Sequence, residues 1–366
     1  MPEALITSEI EHLVRSGAPV AIGVSGGKDS QAAALAIFRK LDQLGHAGPR
    51  ILVHADLGVV EWNYSLPICE ELARHLGVEL LVVRRKAGGL MERWESRWAS
   101  SVERYSSLST VTLVPCWSTP QLRFCTSELK TKVILPELKR RFPGQVVINV
   151  TGIRRAESAS RSHATVASPE KDGRVWNWRP IVEWSEAEVF AAIAGAGLQA
   201  HPAYTNFGMS RVSCRFCIMS SLPDMRAAAA QPEARELLHR TVELEITSTF
   251  AFQGARWLGD VAAQHLGPAI LARVAAAKER ARRRAAAEKR ITKAMLYVKG
   301  WPTRMLTDEE ADILASVRSE VCEIVGITSA IVDRDSINQR YAELLATKTA
   351  RSGVASTKTE PHLAHL

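Results

Sequence analysis

The stretch Ala21-Ile22-Gly23-Val24-Ser25-Gly26-Gly27-Lys28-Asp29-Ser30 limits what this chain can fold into more than any other. Residues 20–24 read as a buried parallel strand, and residues 29–44 repeat apolar side chains at helical spacing. Between them the chain turns through Ser-Gly-Gly. Two glycines let the backbone approach a ligand closely, the first N–H groups of the helix lack internal partners, and the helix dipole favours negative charge there. Such a turn cradles phosphate. Ser25 and Ser30 supply hydroxyl donors and Lys28 a mobile positive charge, while Asp29 can help hold a cation such as Mg²⁺ against the phosphates. The spacing is not Gly-x-x-x-x-Gly-Lys-Ser/Thr, so the turn is not a Walker loop.

In chain order, residues 3–16 form a short amphipathic helix leading into the first strand. A second strand, 51–55, ends in His54-Ala55-Asp56-Leu57-Gly58. Residues just past strand ends line the ligand crevice of an open parallel sheet, which makes Asp56 a candidate. A helix over 63–76 and a strand over 78–83 complete a β-α-β-α-β unit with right-handed crossovers, a doubly wound architecture. Residues 84–113 lose periodicity and carry Trp94 and Trp98; they are expected either to cover the substrate or to pack tryptophan on the sheet. A helix follows residues 121–130 and runs to Arg141, and a strand over 146–150 delivers Thr151-Gly152-Ile153-Arg154-Arg155-Ala156-Glu157-Ser158-Ala159-Ser160-Arg161. If this segment is helical, Arg154 and Arg161 share a face with Glu157 and Ser158 between them, two forks suited to phosphate or sulfate oxygens.

Beyond Ser221 the pattern becomes alanine-rich and helical, over 227–239 and 258–297. The expected organisation is an α/β nucleotide-binding domain over 1–222, a helical C-terminal domain over 223–348, and a disordered polar tail over 349–366. Basic residues from Arg273 to Lys293, Arg282, Arg283 and Arg284 among them, surround most of one helix. They leave Val274, Ala281, Ala285 and Thr292 free to pack. A nucleic acid acceptor, DNA or tRNA, would suit such a helix.

The formal charge of +8 favours polyanionic partners. Six cysteines with one close pair do not form the framework of a secreted disulfide protein and are better suited to metal or redox work. No apolar run is long enough to cross a membrane, and the acidic N-terminus does not read as a signal peptide. A cytoplasmic location is expected, with no membrane partner.

Ser-Gly-Gly-Lys-Asp-Ser after a strand resembles the pyrophosphate (PP) loop of the adenine nucleotide α-hydrolase superfamily, which grips the β- and γ-phosphates and leaves the α-phosphorus open to attack. Gly152, Arg154, Glu157, Ser158 and Arg161 match the Gly-x-Arg-x-x-Glu-Ser-x-x-Arg element of the phosphoadenylylsulfate (PAPS) reductase family. The resemblance continues through Trp178-Arg179-Pro180-Ile181 and Trp184-Ser185-Glu186-Ala187-Glu188-Val189, where Ser185 and Glu188 form a capping box. It runs on through His201-Pro202-Ala203-Tyr204 to Arg211-Val212-Ser213-Cys214-Arg215-Phe216-Cys217, covering residues 18–222. It implies a mostly parallel sheet of the HUP/PP-loop type that binds ATP, PAPS or adenylylsulfate (APS). Lys28, Asp29, Asp56, Arg154 and Arg161 are the expected catalytic residues, and Ser25, Gly26, Gly27, Lys28, Asp29 and Ser30 join the Gly152 element in holding the nucleotide.

PAPS reductases proper carry a catalytic cysteine in a C-terminal Glu-Cys-Gly-Leu-His setting, and this chain has no such sequence. Cys322 and Cys69 lie on apolar helices and read as core. Thiolates spaced like Cys214 and Cys217 bind zinc or an iron-sulfur cluster. With Cys125 upstream and Cys116 as a candidate fourth ligand, the pattern resembles the clustered-cysteine members of the superfamily, including the sulfurtransferase of DNA phosphorothioation and certain tRNA thiolases. In these, three cysteines hold a [4Fe-4S] cluster whose remaining iron carries sulfur. The resulting expectation is nucleotide cleavage at the α-phosphate with sulfur transfer through a cluster, served by a sulfur donor protein. Three other readings stand beside it: a PAPS/APS reductase using an external thiol, an adenylyltransferase stapled by Zn²⁺, and a nucleic-acid-binding accessory with a regulatory nucleotide site.

Overall fold

In the computed structural model of the chain, which describes residues 1–356, six strands form one sheet. They are β1 (Val20–Val24), β2 (Arg50–Asp56), β3 (Glu79–Arg84), β4 (Val147–Val150), β5 (Ala167–Pro169) and β6 (Val175–Trp178), in the order β3-β2-β1-β4-β6-β5. Every neighbouring pair is parallel except β5 with β6. The chain builds outward from β1 to β3 and then returns to lay β4 on the other flank of β1. The carboxyl ends of β1 and β4 thus flank the point where strand order reverses, where an open sheet leaves a crevice for ligands. The mostly parallel, doubly wound α/β fold read from the sequence is therefore present.

Local chemistry sets these elements. Helix α1 (Ser8–Arg15) starts where the Thr7 hydroxyl accepts the Ile10 N–H. In α2 (Lys28–Gln43), buried Ala32, Ala33 and Ala36 let the helix at Glu186–Gly195 pack closely through Val189, Ala192 and Ile193. That second helix begins on the expected capping box of Ser185 and Glu188. Helix α3 (Ser65–Leu76) stops at Gly77, whose φ of 64° is the left-handed ending that glycine adopts without strain.

The chain divides into two compact units, the first made of residues 1–93 and 118–239 and the second of 94–117 together with 240 onward. The sequence boundary at 222 is thus not where the units part, and residues 94–117 belong with the C-terminal part. This segment also differs from its irregular reading, since Leu90–Ser106 is a helix. Trp94, Trp98, Ser101 and Tyr105 are all buried at helical spacing, a periodicity hidden by the serine and by the arginines between. Trp94 meets Trp117 and Phe252 edge to face, and Trp98 meets Phe250, so the tryptophans serve packing within the second unit.

The helix at Pro268–Glu288 corrects the second expectation about this region. Its buried positions are Val274, Ala277, Arg284 and Ala287; of the expected stripe only Val274 is buried, while Ala281 is half-buried and Ala285 and Thr292 are exposed. Its charges are largely answered at home: Arg273 pairs with Glu243, Lys278 with Asp260, Arg282 with Glu279, and Arg290, just beyond the helix, with Glu320. Arg284 lies over the Phe250 ring at 3.9 Å, donates to Thr249 Oγ1 and pairs with Glu288. Guanidinium stems cover apolar surface, so an arginine can sit where the sequence reads a solvated face. Within the expected tail, residues 349–356 belong to the helix Arg334–Ser356, and 357–366 lie outside the described residues. Cys69 and Cys322 are buried, as read. Among the described residues no helix is long and apolar enough to cross a membrane.

Candidate functional site

At the carboxyl end of β1 the chain turns through Ser25 and Gly26 into α2. Gly26 has φ 72°, and a Cβ there would meet Ser65 Cα and its carbonyl oxygen at 2.8 Å, so only glycine fits. Ser30 closes the turn from inside: its hydroxyl donates to the Gly27 carbonyl at 2.8 Å and accepts the Ser25 N–H at 3.2 Å. From β4, Gly152 comes so close that a Cβ would lie 2.4 Å from the Asp29 carbonyl oxygen. The two strand ends are thereby locked together around one cavity of about 230 Å³.

Ser25, Gly27, Asp29 and Ser30 line this cavity together with Gly152, Glu157 and Arg161. All three sequence-selected cysteines of the first unit, Cys125, Cys214 and Cys217, line the same cavity. Cys125 lies on the short helix Phe124–Thr126, followed by a π-helical turn at Ser127–Thr131. Cys217 Sγ accepts the Met219 N–H at 3.4 Å, just beyond the Cys-x-x-Cys pair. Burial, and then the neighbouring Cys217, push the Cys214 thiol up. Cys116 belongs to the second unit, where it is fully buried and its thiol is pushed up to about 12 by burial.

Other expected residues are placed differently. Lys28 is 3% exposed and is not among the cavity's lining residues. Its ammonium sits 4.6 Å from the Tyr204 ring centre and 3.4 Å from a Glu186 oxygen, drawn sideways by an aromatic face and a carboxylate. Asp56 turns its Oδ1 onto the Gly58 N–H at 2.7 Å and its Oδ2 toward Arg84, so it shapes the loop after β2. Arg154 and Arg161 do not share a helical face, because only Arg155–Glu157 makes a 3₁₀ turn. Buried Arg154 donates to Asp29 Oδ1 at 2.5 Å; Arg161 reaches the cavity and pairs with Glu157. Ser158 is exposed and bonds Ser160.

Several lining residues were not legible as such. Tyr204 accepts the Lys28 and Val212 N–H groups on its hydroxyl at 3.3 and 3.2 Å, and burial pushes the pKa of that hydroxyl up to about 12. Arg123, Lys130 and Arg211 add positive charge to the wall. Glu61 adds a carboxylate held by buried His54 at 3.0 Å. Arg215 anchors the cysteine turn: its N–H donates to the Val60 carbonyl at 2.8 Å and its guanidinium to the Glu233 carbonyl at 3.1 Å. His201 is held neutral, since its Nδ1 accepts the Ala203 N–H at 3.0 Å and burial pushes it down to about 4. Tyr204, His201, Arg211, Arg215 and His54 stand in stretches the sequence singles out, but nothing local shows that these residues gather with Glu61, Arg123 and Lys130 at one site.

An Escherichia phage 186 protein, described as an uncharacterized 37.8 kDa protein in the gpa 5′ region, is 28% identical to this chain over 232 residues. The match takes in 54% of this chain and 66% of that protein, so the chain spans less than two thirds of the relative's length. Solved structures with weaker likeness include the PAPS reductase of Candida auris in complex with phosphate, at 13% identity and TM-score 0.36, covering 58% of this chain and 98% of that one. The U34-tRNA thiolase NcsA of Methanococcus maripaludis with its [4Fe-4S] cluster matches at 14% identity and TM-score 0.36, covering 70% and 77%. The NH3-dependent NAD synthetase of Campylobacter jejuni, in complex with the nitrate ion, matches at 11% and 0.29, covering 75% and 92%. Likeness this weak carries no argument about chemistry. Residues 19–220, more than half of the chain, match the phosphoadenosine phosphosulfate reductase domain, and the chain belongs to that family.

Proposed function

We propose that the chain binds an adenine nucleotide by its phosphates at the Ser25–Ser30 turn, that an acceptor oxygen attacks the α-phosphorus as pyrophosphate or its equivalent leaves, and that sulfide-level sulfur from a donor then displaces AMP from the acceptor. Cys125, Cys214 and Cys217 would hold a [4Fe-4S] cluster that would supply that sulfur. One observation carries this reading: the glycine-rich turn and three thiols from distant parts of the chain line a single cavity. Family membership supports an enzyme, and the finer activity is our own reading.

The donor set suits such a cluster. Two thiols come from one Cys-x-x-Cys turn and a third from the opposite stretch, each open to the cavity. Among the described residues no three His, Cys, Asp or Glu side chains are gathered tightly enough to hold a single ion. A cluster spreads its irons over a cube and asks less convergence of its ligands than a lone zinc does. When bound, it would supply an open iron for sulfur. The chain's own part is electrostatic: the turn's N–H groups and the start of α2 hold the leaving phosphates, and Arg161 opposes the charge that develops as the α-phosphorus is attacked. Lys28, turned toward Tyr204, acts by fixing the start of α2. Burial keeps Cys214 a thiol until a metal displaces its proton.

Anaerobic purification followed by iron, sulfide and visible-absorbance measurement tests this reading. The expected result is about four iron per chain, lost in Cys125→Ser, Cys214→Ser and Cys217→Ser and kept in Cys116→Ser, with AMP and pyrophosphate formed from ATP. Iron-free protein that releases sulfite from PAPS with an added thiol would replace it with the reductase reading.

A further inference from the structure

A polyphosphate travels with a divalent cation, and the sequence puts Asp29 forward to hold it. The structure commits Asp29 elsewhere: Oδ1 takes Arg154 Nε at 2.5 Å, and Oδ2 lies 3.8 Å from Lys28 Nζ. A second lining carboxylate, Glu157, is shared between the Arg154 N–H and the Arg161 guanidinium. A third, Glu61, is held in another way.

His54 is 1% exposed, with Nδ1 3.1 Å from the Val24 carbonyl oxygen and Nε2 3.0 Å from Glu61 Oε2. A carbonyl and an ionised carboxylate can only accept. Nε2 therefore donates to the carboxylate, while Nδ1 faces the Val24 carbonyl with Cys69 Sγ beside it at 3.7 Å. One oxygen of Glu61 is fixed by this ring, and no group among the described residues donates to the other. Glu61 also lines the cavity that the turn and the three cysteines share. Val24 directly precedes Ser25, Ser65 closes on Gly26, and the charge of Glu61 is among those that raise the Cys214 thiol.

We propose that Glu61 Oε1 is the protein's ligand for the divalent cation, Mg²⁺ or Mn²⁺, that accompanies the nucleotide's phosphates, and that the hydrogen bond from His54 Nε2 holds the carboxylate in place for it. The proposal rests on the nucleotide reading above. One carboxylate suffices, because Mg²⁺ keeps several waters and takes the rest of its shell from phosphate oxygens. Glu61 is the lining carboxylate with no arginine on it, and its partner below the sheet end fixes the rotamer before the cation arrives.

Calorimetry of the full chain with a non-hydrolysable ATP analogue, in Mg²⁺ and in EDTA, separates the claims. The wild type should bind about tenfold or more tightly with Mg²⁺. Glu61→Gln should lose most of that gain while its affinity in EDTA holds or rises, and nucleotide-dependent line broadening of bound Mn²⁺ should be lost in the same variant. Should Glu61→Gln fold poorly, Glu61→Asp keeps the charge beside His54 but withdraws the oxygen by one methylene, and the gain should fall there too. A Mg²⁺ gain that persists in Glu61→Gln overturns the assignment, as does a wild type that binds equally with and without Mg²⁺. A wild type that binds in neither condition overturns the nucleotide reading itself.

Discussion

Gly152 and His54 act on the site through the atoms that crowd them. At Gly152 an added Cβ would meet the Asp29 carbonyl and the Ser30 nitrogen, all backbone, at 2.4 to 2.9 Å. Gly152→Ala should therefore cost about 1–3 kcal/mol of stability and abolish nucleotide binding, because β4 and the phosphate turn must separate to make room. Urea unfolding and calorimetry on the same protein check both parts. His54 makes a prediction in pH. Burial alone would lower its pKa, but hydrogen bonds with Cys69 and Glu61 outweigh it and raise the value from 6.5 to about 10. A folded-state pKa above the unfolded one gives stability that is fully present below the unfolded value and lost as pH rises through the folded one. The unfolding free energy should thus decline between pH 6.5 and about 10, and His54→Gln should flatten that decline.

At the scale of elements, the helix Pro268–Glu288 shows how far charge composition can mislead. Its arginines suggest a solvated, anion-seeking face, yet Arg284 is 6% exposed against Phe250, Thr249 and Glu288. Arg284→Ala leaves Glu288 buried without its partner and should destabilise the protein by about 3–5 kcal/mol. Thermal unfolding is the measurement, and a change within error would return the residue to the surface. Nucleic acid affinity, if present, should not follow this variant differently from its loss of fold. The sequence leaves the tryptophans of the helix Leu90–Ser106 between a cover and a packing role, and they are packed against Trp117, Phe250 and Phe252.

The whole molecule is not divided where its composition changes. Residues 94–117 are part of the unit that otherwise begins at 240. A fragment ending at residue 222 keeps the complete sheet but strips Trp94, Trp98 and Trp117 of their partners Phe250 and Phe252. Each lost aromatic contact of this size exposes about 150–250 Å² of apolar side chain. Such a fragment should be aggregation-prone and bind a hydrophobic dye strongly, whereas the full chain should not. Dye binding and light scattering of the two proteins decide it.

What the sequence determined was whatever is encoded between near neighbours. The β1 turn, the parallel strands and the Ser185 capping box follow from spacing, propensity and steric freedom, and each lies within a short window of chain; Gly152 came through the family resemblance. That Cys125 lines the same cavity as Cys214 and Cys217 was foreshadowed only by the family resemblance. Tertiary structure decided the rest, because the direction of a long charged side chain depends on partners brought from far away. Lys28 turns to Tyr204 and Glu186, Arg154 to Asp29, and Arg284 to Phe250, each toward a carboxylate or ring that no local pattern announces. His54 is set by the same cause: its ring stands between a carbonyl from β1 and a carboxylate from the next loop.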